Sequence, residues 1–453
     1  MDKKILFIHR RDLRLIDNTA LNRAKETGAE ILPCFIFTPS QIDEPDYRSS
    51  NAIQFMVASL KELAEEYAER GGRLQFFHGD VDTLLPKIIS EAGITDIYFN
   101  ADYTPFAKKR DALIEKIAQD QGVSVHVEHD ATLTVPGQVC TNEGTPYEVF
   151  TPFYKKAQEI PVREPETAHD AHWYTHELSC AYTGDIADFV PQSNPDILLV
   201  GGRTEGLGLI RGIADIESYK DNRDYPGQKN TSHLSAHHKF GTVSIRESYA
   251  GAKEYMASPA AFLSELYWRD FYTHLAYFYP RVFGEPFKEE YADVSWDKDT
   301  EKFECWCTGN TGIPVVDAGM RELVKTGYMH NRVRMITASF LTKDLHLPWQ
   351  WGEKFFAEHL TDYDPAVNNG SWQWAASTGA DGAPYFRIFN PWRQQERFDP
   401  ECTYIKQWVS ELKDVPAKAI LQGQEKKISD GYREPMVDHR KEAEEAKRRF
   451  KVA

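Results

Sequence analysis

Carboxylates, amides, guanidinium groups and tryptophans are concentrated in five stretches in the second half of the chain. These stretches are residues 219–226 with 231–235, 265–272, 327–335, 362–369 and 370–377. Hydroxyl and guanidinium groups bind anions, and indole rings stack on flat ring systems. With 10 tryptophans and 13% aromatic residues, the chain has the side chains that stacking needs. A large aromatic core would account for the same composition.

Each polar group in these stretches also has a purely structural interpretation. The run Thr-Ser-His-Leu-Ser at 231–235 precedes a predicted helix, where its hydroxyls would either cap the helix or cradle a phosphate. Asn331 and Arg334 are three residues apart and therefore share one face of a helix. Asp362 and Asp364 would form a turn, cap a helix or pair with Arg334. Taken one at a time, these residues leave the alternatives open.

The elements that must position these stretches are helical. From residue 201 to about 410, apolar residues recur at helical spacing, and residues 261–278 and 315–345 form long amphipathic segments. Residues 437–451 predict a charged tail helix in solvent. The pattern therefore predicts an all-α domain over residues 201–453.

The first 130 residues alternate short apolar runs with longer segments of helical period. The predicted strands are 5–9, 31–37, 74–78, 96–100 and 124–128, and the predicted helices are 18–26, 51–70, 81–91 and 105–121. This alternation predicts an α/β domain over residues 1–130, with a parallel doubly wound sheet between two layers of helices. Residues 131–200, rich in Pro, Thr, His and Tyr, predict a connector over both domains without long regular elements. No glycine fingerprint follows the first strand, so a dinucleotide site of the usual kind is not expected there.

Composition limits the class of protein. A length of 453 residues suggests two or three domains, and 41% apolar residues is typical of a folded soluble protein. No apolar run reaches the roughly 20 residues that span a bilayer, and we expect no signal peptide. Six cysteines without paired spacing predict reduced thiols and a cytoplasmic protein. His233, His237 and His238 lack a carboxylate or thiol partner, so we expect no metal site.

Motifs over nearly the whole chain resemble the photolyase/cryptochrome family. They are FIHRRDLR at 7–14, ELYWRDFY at 265–272, TGIPVVDAGMREL at 311–323, TGYMHNRVRMITASFLTKDL at 326–345 and NNGSWQWAASTGADGAPYFRIFNP at 368–391. The resemblance is closest to class I cyclobutane pyrimidine dimer photolyases, because (6-4) photolyases carry a second histidine where Asn331 stands. It implies an α/β domain followed by an all-α FAD-binding domain.

The resemblance implies that FAD lies in the helical domain. The residues that match its phosphate site are Tyr219, Thr231, Ser232, Leu234 and Ser235. Asp362 and Asp364 match the residues at the ribityl and isoalloxazine region, with Arg334 paired to Asp362. Phe262 stands in the aromatic wall, where a bacterial relative has tryptophan. Asn368 matches the amide beside flavin N5, which suits both redox states because an amide can donate or accept a hydrogen bond.

The resemblance also implies a DNA partner that contains a pyrimidine dimer. Photolyases are among the enzymes that flip the target nucleotide out of the duplex, and Trp268 and Trp374 match the walls that stack on the flipped bases. Glu265 matches the carboxyl group that hydrogen-bonds the dimer, and Asn331 and Met335 match the pocket floor. The residues that match a positive groove around the pocket are Arg223, Arg269, Arg332 and Arg387. Such a local groove reconciles DNA binding with a net charge of −16, which by itself argues against a nucleic-acid partner.

The activity that the resemblance implies is light-driven repair of cyclobutane pyrimidine dimers, by electron transfer from reduced FAD to a flipped-out dimer. Trp372, Trp349 and Trp296 match the electron relay of the family by spacing, and core packing is the alternative for each. A cryptochrome-type photoreceptor without repair activity and a flavoprotein that only transfers electrons are the alternative functions. We expect a monomer.

Many relatives hold a second, antenna chromophore against the N-terminal sheet. In folate-binding members an Asn-Glu pair follows the fourth strand, and here Phe106 and Ala107 stand in that place. Neither side chain can hydrogen-bond the edge of a pterin, and each unpaired ring group would cost on the order of 1–3 kcal/mol. We therefore expect a deazaflavin rather than methenyltetrahydrofolate, or an empty site. Packing of the helix on the sheet is the alternative for Phe106.

Overall fold

The computed structural model describes residues 3–43, 46–167, 170–216, 218–228, 230–380, 386–424 and 427–451. Its N-terminal part is the predicted α/β domain with a parallel sheet. The six strands are β1 (Lys4–His9), β2 (Glu30–Phe37), β3 (Gln75–His78), β4 (Asp96–Asn100), β5 (Ser124–Glu128) and β6 (His172–Trp173). The strand order β3-β2-β1-β4-β5, with β6 beside β2, is that of a doubly wound sheet.

Helices cover both faces of this sheet. Alternate side chains of β1 therefore pack into two different cores, one on each face. The helices are α1 (Thr19–Glu26), α2 (Pro39–Ile42), α3 (Ser50–Glu69), α4 (Val81–Ala92) and α5 (Pro105–Asp120). Ile5 and Phe7 pack with α1 and α3, whereas Leu6 and Ile8 pack with α4 and α5. The five strands and four helices predicted for residues 1–130 are all present, each boundary within one residue of its predicted position.

Beyond residue 130 the described chain is mainly helical, which confirms the predicted fold class. Its helices are α6 (Phe150–Ala157), α7 (Arg203–Gly212), α8 (Tyr219–Asn222), α9 (Ser235–Phe240), α10 (Ile245–Tyr255), α11 (Ala260–Phe278), α12 (Thr300–Cys307), α13 (Pro314–Thr326), α14 (Asn331–Lys343), α15 (Trp349–His359), α16 (Pro365–Ala376), α17 (Pro391–Phe398), α18 (Thr403–Trp408), α19 (Ala417–Leu421) and α20 (His439–Arg449). Single 3-10 turns lie at Ile186–Phe189, Ile213–Asp215, Pro280–Val282, Glu289–Tyr291 and Ser410–Leu412. Among the helices described here, none is both long enough and apolar enough to cross a bilayer.

Three features depart from the sequence-based expectation. The connector carries α6, which packs on α11, and β6, which adds a parallel strand to β2. The amphipathic segment 315–345 is two helices, because Gly327 ends α13 in the left-handed region with a φ of 69°. The tail helix α20 is docked rather than free, with His439 Nδ1 2.5 Å from the Asp344 carboxylate and Phe450 buried. The division at residues 130 and 200 stays a prediction.

Buried ion pairs join the α/β part to the helical part. Arg246 of α10 donates to Asp17 at 2.8 Å and to Asp130 at 2.6 Å, and Arg14 donates to Asp130 at 2.5 Å. Burial alone would raise the pKa of Asp130, but the two guanidinium groups hold it well below the ordinary value. This junction fixes the carboxyl end of β1 beside the helices that form the site.

Candidate functional site

A cavity of about 460 Å³ lies among α8, α9, α11, α14 and α16, and we name it the helical cavity. It is lined by all residues predicted to bind FAD: Tyr219, Thr231, Ser232, Leu234, Ser235, Phe262, Arg334, Asp362, Asp364 and Asn368. It is also lined by most of the residues predicted to bind the lesion: Arg223, Glu265, Trp268, Arg269, Asn331, Arg332, Met335 and Trp374. Of the predicted relay, Trp372 reaches the cavity. The five stretches that carry the polar groups and tryptophans therefore converge on one site.

Two aspartates at the floor of the cavity are held by arginines. Arg334 donates to Asp362 at 2.9 Å, as predicted, and its Nε donates to the Met329 carbonyl at 2.7 Å. Asp364 caps α16 by accepting from two backbone N–H groups, and it also receives Arg11 from the α/β domain. Burial alone would raise the pKa of Asp364, but Arg11 and its cationic neighbours keep it well below the ordinary value. Arg11 was not predicted as a site residue.

The amide of Asn368 is oriented by a buried glutamate that the sequence did not reveal. Asn368 Nδ2 donates to Glu353 Oε1 at 2.9 Å and to the Glu353 carbonyl at 3.1 Å. Burial raises the pKa of Glu353 to about 7. With its Nδ2 group engaged on Glu353, Asn368 has its Oδ1 atom left for a ligand. Glu353 lies outside the five polar stretches, on α15 between Gly352 and Lys354.

Unsatisfied polar atoms around the helical cavity test whether FAD fits. Asp362 Oδ1, Trp372 Nε1 and His233 Nδ1 are buried and have no hydrogen-bond partner in the described part of the chain. Buried polar groups are nearly always paired, so such atoms indicate a missing partner. The hydroxyls of the 231–235 run lie on the same wall, and Tyr219 meets Phe262 edge-on with centroids 5.4 Å apart. Anion-binding hydroxyls, ring-edge acceptors and aromatic walls together fit a dinucleotide with a flat ring.

The mouth of the cavity carries the aromatic and charged residues predicted for the lesion. Trp268 is stacked face to face on Phe150 with centroids 3.7 Å apart, and the Arg387 guanidinium lies 4.3 Å from the Trp374 ring centroid. Asn331 and Met335 contact each other at 4.0 Å on one face of α14. Residues 381–385, which belong to the motif at 368–391, lie outside the described residues.

The predicted groove arginines are engaged with protein groups. Arg223 pairs with Glu265, and Arg332 Nη2 lies 2.7 Å from Asp224. Arg269 donates to two main-chain carbonyls, one of them that of His238 at 3.2 Å, so it lies on the cavity wall. Arg223 and Arg332 would have to change partners to contact DNA.

The three tryptophans of the predicted relay lie in one core cluster. Trp372 and Trp349 are buried, and Trp296 is partly exposed beside Phe450, with centroids 5.8 Å apart. A Cβ on Gly352, one turn after Trp349, would lie 2.1 Å from the Trp372 indole, so α15 packs directly on Trp372. The relay roles stay predictions.

A second cavity, of about 520 Å³, lies where β1, β2 and β4 end, and we name it the strand-end cavity. This is the topological switch point of the sheet, because the chain turns from β3 across β1 to β4. Phe106 lines it and is 43% exposed, so it does not simply pack α5 on the sheet. Arg10 and Arg110 also line it, and Arg10 Nε and Arg110 Nη2 have no hydrogen-bond partner among the described residues. No glycine fingerprint marks this cavity, and the sequence signal that pointed to it was the family resemblance at Phe106.

Two of the histidines considered as metal ligands, His237 and His238, form hydrogen bonds with hydroxyl groups. His237 Nδ1 lies 2.7 Å from the Thr242 hydroxyl, and His238 Nε2 lies 2.7 Å from the Ser248 hydroxyl. Within the described ranges, no group of three or more His, Cys, Asp or Glu residues is placed to hold a metal ion.

Two family models match the chain. Residues 262–452 match the FAD binding domain of DNA photolyase, and residues 5–169 match the DNA photolyase domain. The chain is 39% identical to the deoxyribodipyrimidine photo-lyase of Halobacterium salinarum, over 99% of both proteins. It is 34% identical to that of a Synechococcus strain, over 97% of this chain and 94% of the relative.

Three solved structures share the fold over nearly their whole length, each with a TM-score of 0.91. An archaeal photolyase from Sulfolobus tokodaii, solved with two FAD molecules, is 41% identical and covered over 99% of both chains. A class III photolyase from Agrobacterium tumefaciens is 32% identical, over 100% of this chain and 98% of the other. A cryptochrome from Synechocystis is 27% identical, over 99% of both chains.

Proposed function

The chain belongs to the photolyase/cryptochrome family, and from this premise we propose that it repairs cyclobutane pyrimidine dimers in DNA with light, as a deoxyribodipyrimidine photolyase. One observation carries the proposal: ten residues predicted to bind FAD and eight residues predicted to bind the lesion line the same cavity. The full-length similarity to deoxyribodipyrimidine photo-lyases supports the same activity.

We propose that the hydroxyls and backbone of residues 231–235, with Tyr219, bind the phosphates of FAD, and that Phe262 packs on it. Asp362 and Asp364 would hold the ribityl and ring region, each fixed by its arginine. Asn368, anchored on Glu353, would present its amide oxygen to the N5 side of the ring. When bound in its reduced form and excited by light, FAD would supply an electron to the dimer, and this electron would return to the flavin once the two bonds joining the pyrimidines are broken.

We call the part of the helical cavity around Glu265, Trp268, Asn331, Met335 and Trp374 the lesion pocket. We propose that it binds the dimer by stacking and by exchange of hydrogen-bond partners. Trp268 and Trp374 would stack on the flipped dimer, and Glu265 would accept a hydrogen bond from a pyrimidine N3–H. Glu265 is paired with Arg223, so a dimer that takes Glu265 would free Arg223 for a backbone phosphate. Asn331 and Met335 would form the pocket floor. Arg269, Arg332 and Arg387 are proposed to complete the DNA-binding set.

We propose that Trp372, Trp349 and Trp296 carry an electron inward from the surface to FAD. Trp372 lines the cavity, and Trp296 is the partly exposed end of the set. Their place in one core cluster supports hopping between indoles, while repair by already reduced enzyme would not need the relay.

The strand-end cavity is proposed to hold a second, light-harvesting chromophore of flavin or deazaflavin type. Phe106 offers a flat apolar contact and no hydrogen bond, which disfavours methenyltetrahydrofolate at that position. The unsatisfied N–H groups of Arg10 and Arg110 suit a negatively charged substituent. The Sulfolobus structure with two FAD molecules supports a flavin as one candidate.

We further propose that the protein acts as a cytoplasmic monomer on damaged DNA. All six cysteines are free, which suits a reducing compartment. The alternative function, a photoreceptor without repair, is supported by the equally good superposition on the Synechocystis cryptochrome.

A repair assay tests the proposal. A duplex with one thymine dimer is mixed with reduced protein, exposed to blue light and analysed for restored thymines, with dark and enzyme-free samples as controls. Light-dependent restoration supports repair. Tight dimer binding without restoration supports the photoreceptor, and release of no FAD from folded protein contradicts both.

A further inference from the structure

A column of three parallel aromatic rings runs from the connector to the lesion pocket. Phe150 of α6 stacks on Trp268 of α11, with centroids 3.7 Å apart and an interplanar angle of 8°. Tyr154, one turn later on α6, stacks on Phe150 at 5.5 Å and 9°. Trp268 lines the helical cavity, whereas Phe150 and Tyr154 do not reach it. The column therefore covers the face of Trp268 that is turned away from the cavity.

The other rings around Trp268 are not parallel to it. Phe271 meets the indole edge-on at 82°, and Tyr272 is tilted by 33°. Among the described rings, Phe150 is the one that lies parallel to Trp268. A side chain that is held flat before binding loses less conformational freedom when a base stacks on it. Stacking also depends on ring orientation, so a tilted indole would meet a flipped base poorly.

We propose that Phe150 is a positioning residue for lesion recognition, which holds the plane of Trp268 so that a flipped dimer joins the column as its next ring. The inference rests on the proposed role of Trp268 in lesion binding. It gives the connector a part in recognition, beyond joining the two domains. No sequence motif pointed to α6, since the contact joins residues 118 positions apart.

Substitution of Phe150 tests this role in the full-length, FAD-containing protein. Phe150→Leu removes the flat ring, so affinity for a duplex with one thymine dimer should fall about three- to tenfold, a part of the full contribution of one base stack. Affinity for the same duplex without the dimer should not change, because no base is flipped there. FAD content and photoreduction should also stay unchanged, and Phe150→Tyr should restore dimer affinity, because its ring is flat.

Two further variants separate positioning from general packing. Phe153 lies on the same helix, but its ring contacts Phe271 and His274. If Phe153→Leu weakens dimer binding as much as Phe150→Leu does, helix packing explains the effect and the proposal is overturned. In a Trp268→Ala background, Phe150→Leu should have no additional effect, and an additional loss also overturns it. Failure of Trp268→Ala itself to weaken dimer binding would instead contradict the proposed function.

Discussion

The helical cavity and the strand-end cavity are similar in volume, about 460 and 520 Å³, yet they are built differently. Helices α11, α14 and α16 supply many of the polar and aromatic side chains of the helical cavity, three or four residues apart. Strand ends, the loops after β1, β2 and β4, and helices α3 and α5 together supply those of the strand-end cavity. Side chains on regular elements are held accurately, whereas loops accept substitutions easily. We infer that the helical cavity is committed to one cofactor and reaction, and that the loop-lined part of the strand-end cavity can serve different chromophores.

The two cavities nevertheless share a wall. Lys239 and Tyr363 line both, and Arg11 of the strand-end cavity binds Asp364 of the helical cavity. Burial and the nearby Arg11 lower the pKa of Lys239 to about 8. A ligand in either cavity therefore lies beside the same charged groups, Arg11, Lys239 and Asp364. Variants on each side of this shared wall can test how far the two sites are independent.

The largest expected effect concerns the relay behind the helical cavity. Trp372→Phe should largely abolish photoreduction of bound oxidised flavin, because phenylalanine is much harder to oxidise than an indole. Repair by chemically reduced enzyme should persist. Flavin absorbance under blue light with an external reductant measures photoreduction, and the thymine-dimer repair assay measures repair. Trp408→Phe, outside the relay, is the matched control, and normal photoreduction by Trp372→Phe would refute the relay assignment.

Next in size is a pH effect at the buried carboxyl between the cavities. Burial raises the pKa of Glu353 to about 7, so the folded protein keeps a proton that the unfolded chain loses above pH 4.5. The wild type should thus lose stability relative to Glu353→Gln as the pH rises from 4.5 to 7, by roughly 3 kcal/mol in total. Urea unfolding at pH 5 and pH 8 measures this difference. Glu358→Gln on the same helix is the matched control, and a pH-independent difference for Glu353→Gln would contradict the assignment.

A smaller effect is expected at the stacking wall. Trp268→Ala should weaken binding of dimer-containing DNA by roughly 1–3 kcal/mol, the usual loss for one base–aromatic stack. Fluorescence anisotropy with labelled duplexes measures the change, and undamaged DNA serves as the control. An equal loss for both duplexes would mean that Trp268 contacts the backbone and not a flipped base.

The smallest effect is expected in the strand-end cavity. Phe106→Ala should lower retention of a flavin or deazaflavin antenna several-fold, because one flat contact is lost, while FAD content stays the same. Repair under light that FAD itself absorbs should be unchanged, since the proposed lesion site lies in the other cavity. Reconstitution with each chromophore separately, followed by absorption and excitation spectra of repair, provides the measurement. Stoichiometric retention of methenyltetrahydrofolate would overturn the predicted preference.

The helical site was predictable because its residues lie in continuous motifs. Arg334 and Asn331 occur in one stretch, and Asp362, Asp364 and Asn368 in another, so a short segment of sequence specifies several neighbours at once. The pairing of Arg334 with Asp362 could be predicted and is present at 2.9 Å. The contacts of Arg11 with Asp364 and of Glu353 with Asn368 could not be predicted, because neither Arg11 nor Glu353 lies in the five stretches that mark the helical site.

By itself, the sequence determined the α/β domain, the helical domain and the set of residues around the helical cavity, because strand and helix periods and long motifs are local properties. Tertiary structure alone decided the rest. It placed Arg11 against Asp364, 353 residues away, and stacked Phe150 on Trp268. It also formed the strand-end cavity, which no glycine fingerprint marks in the sequence. Such contacts depend on how whole elements pack, and packing is specified by many weak apolar contacts spread over the chain and by no single pattern within it.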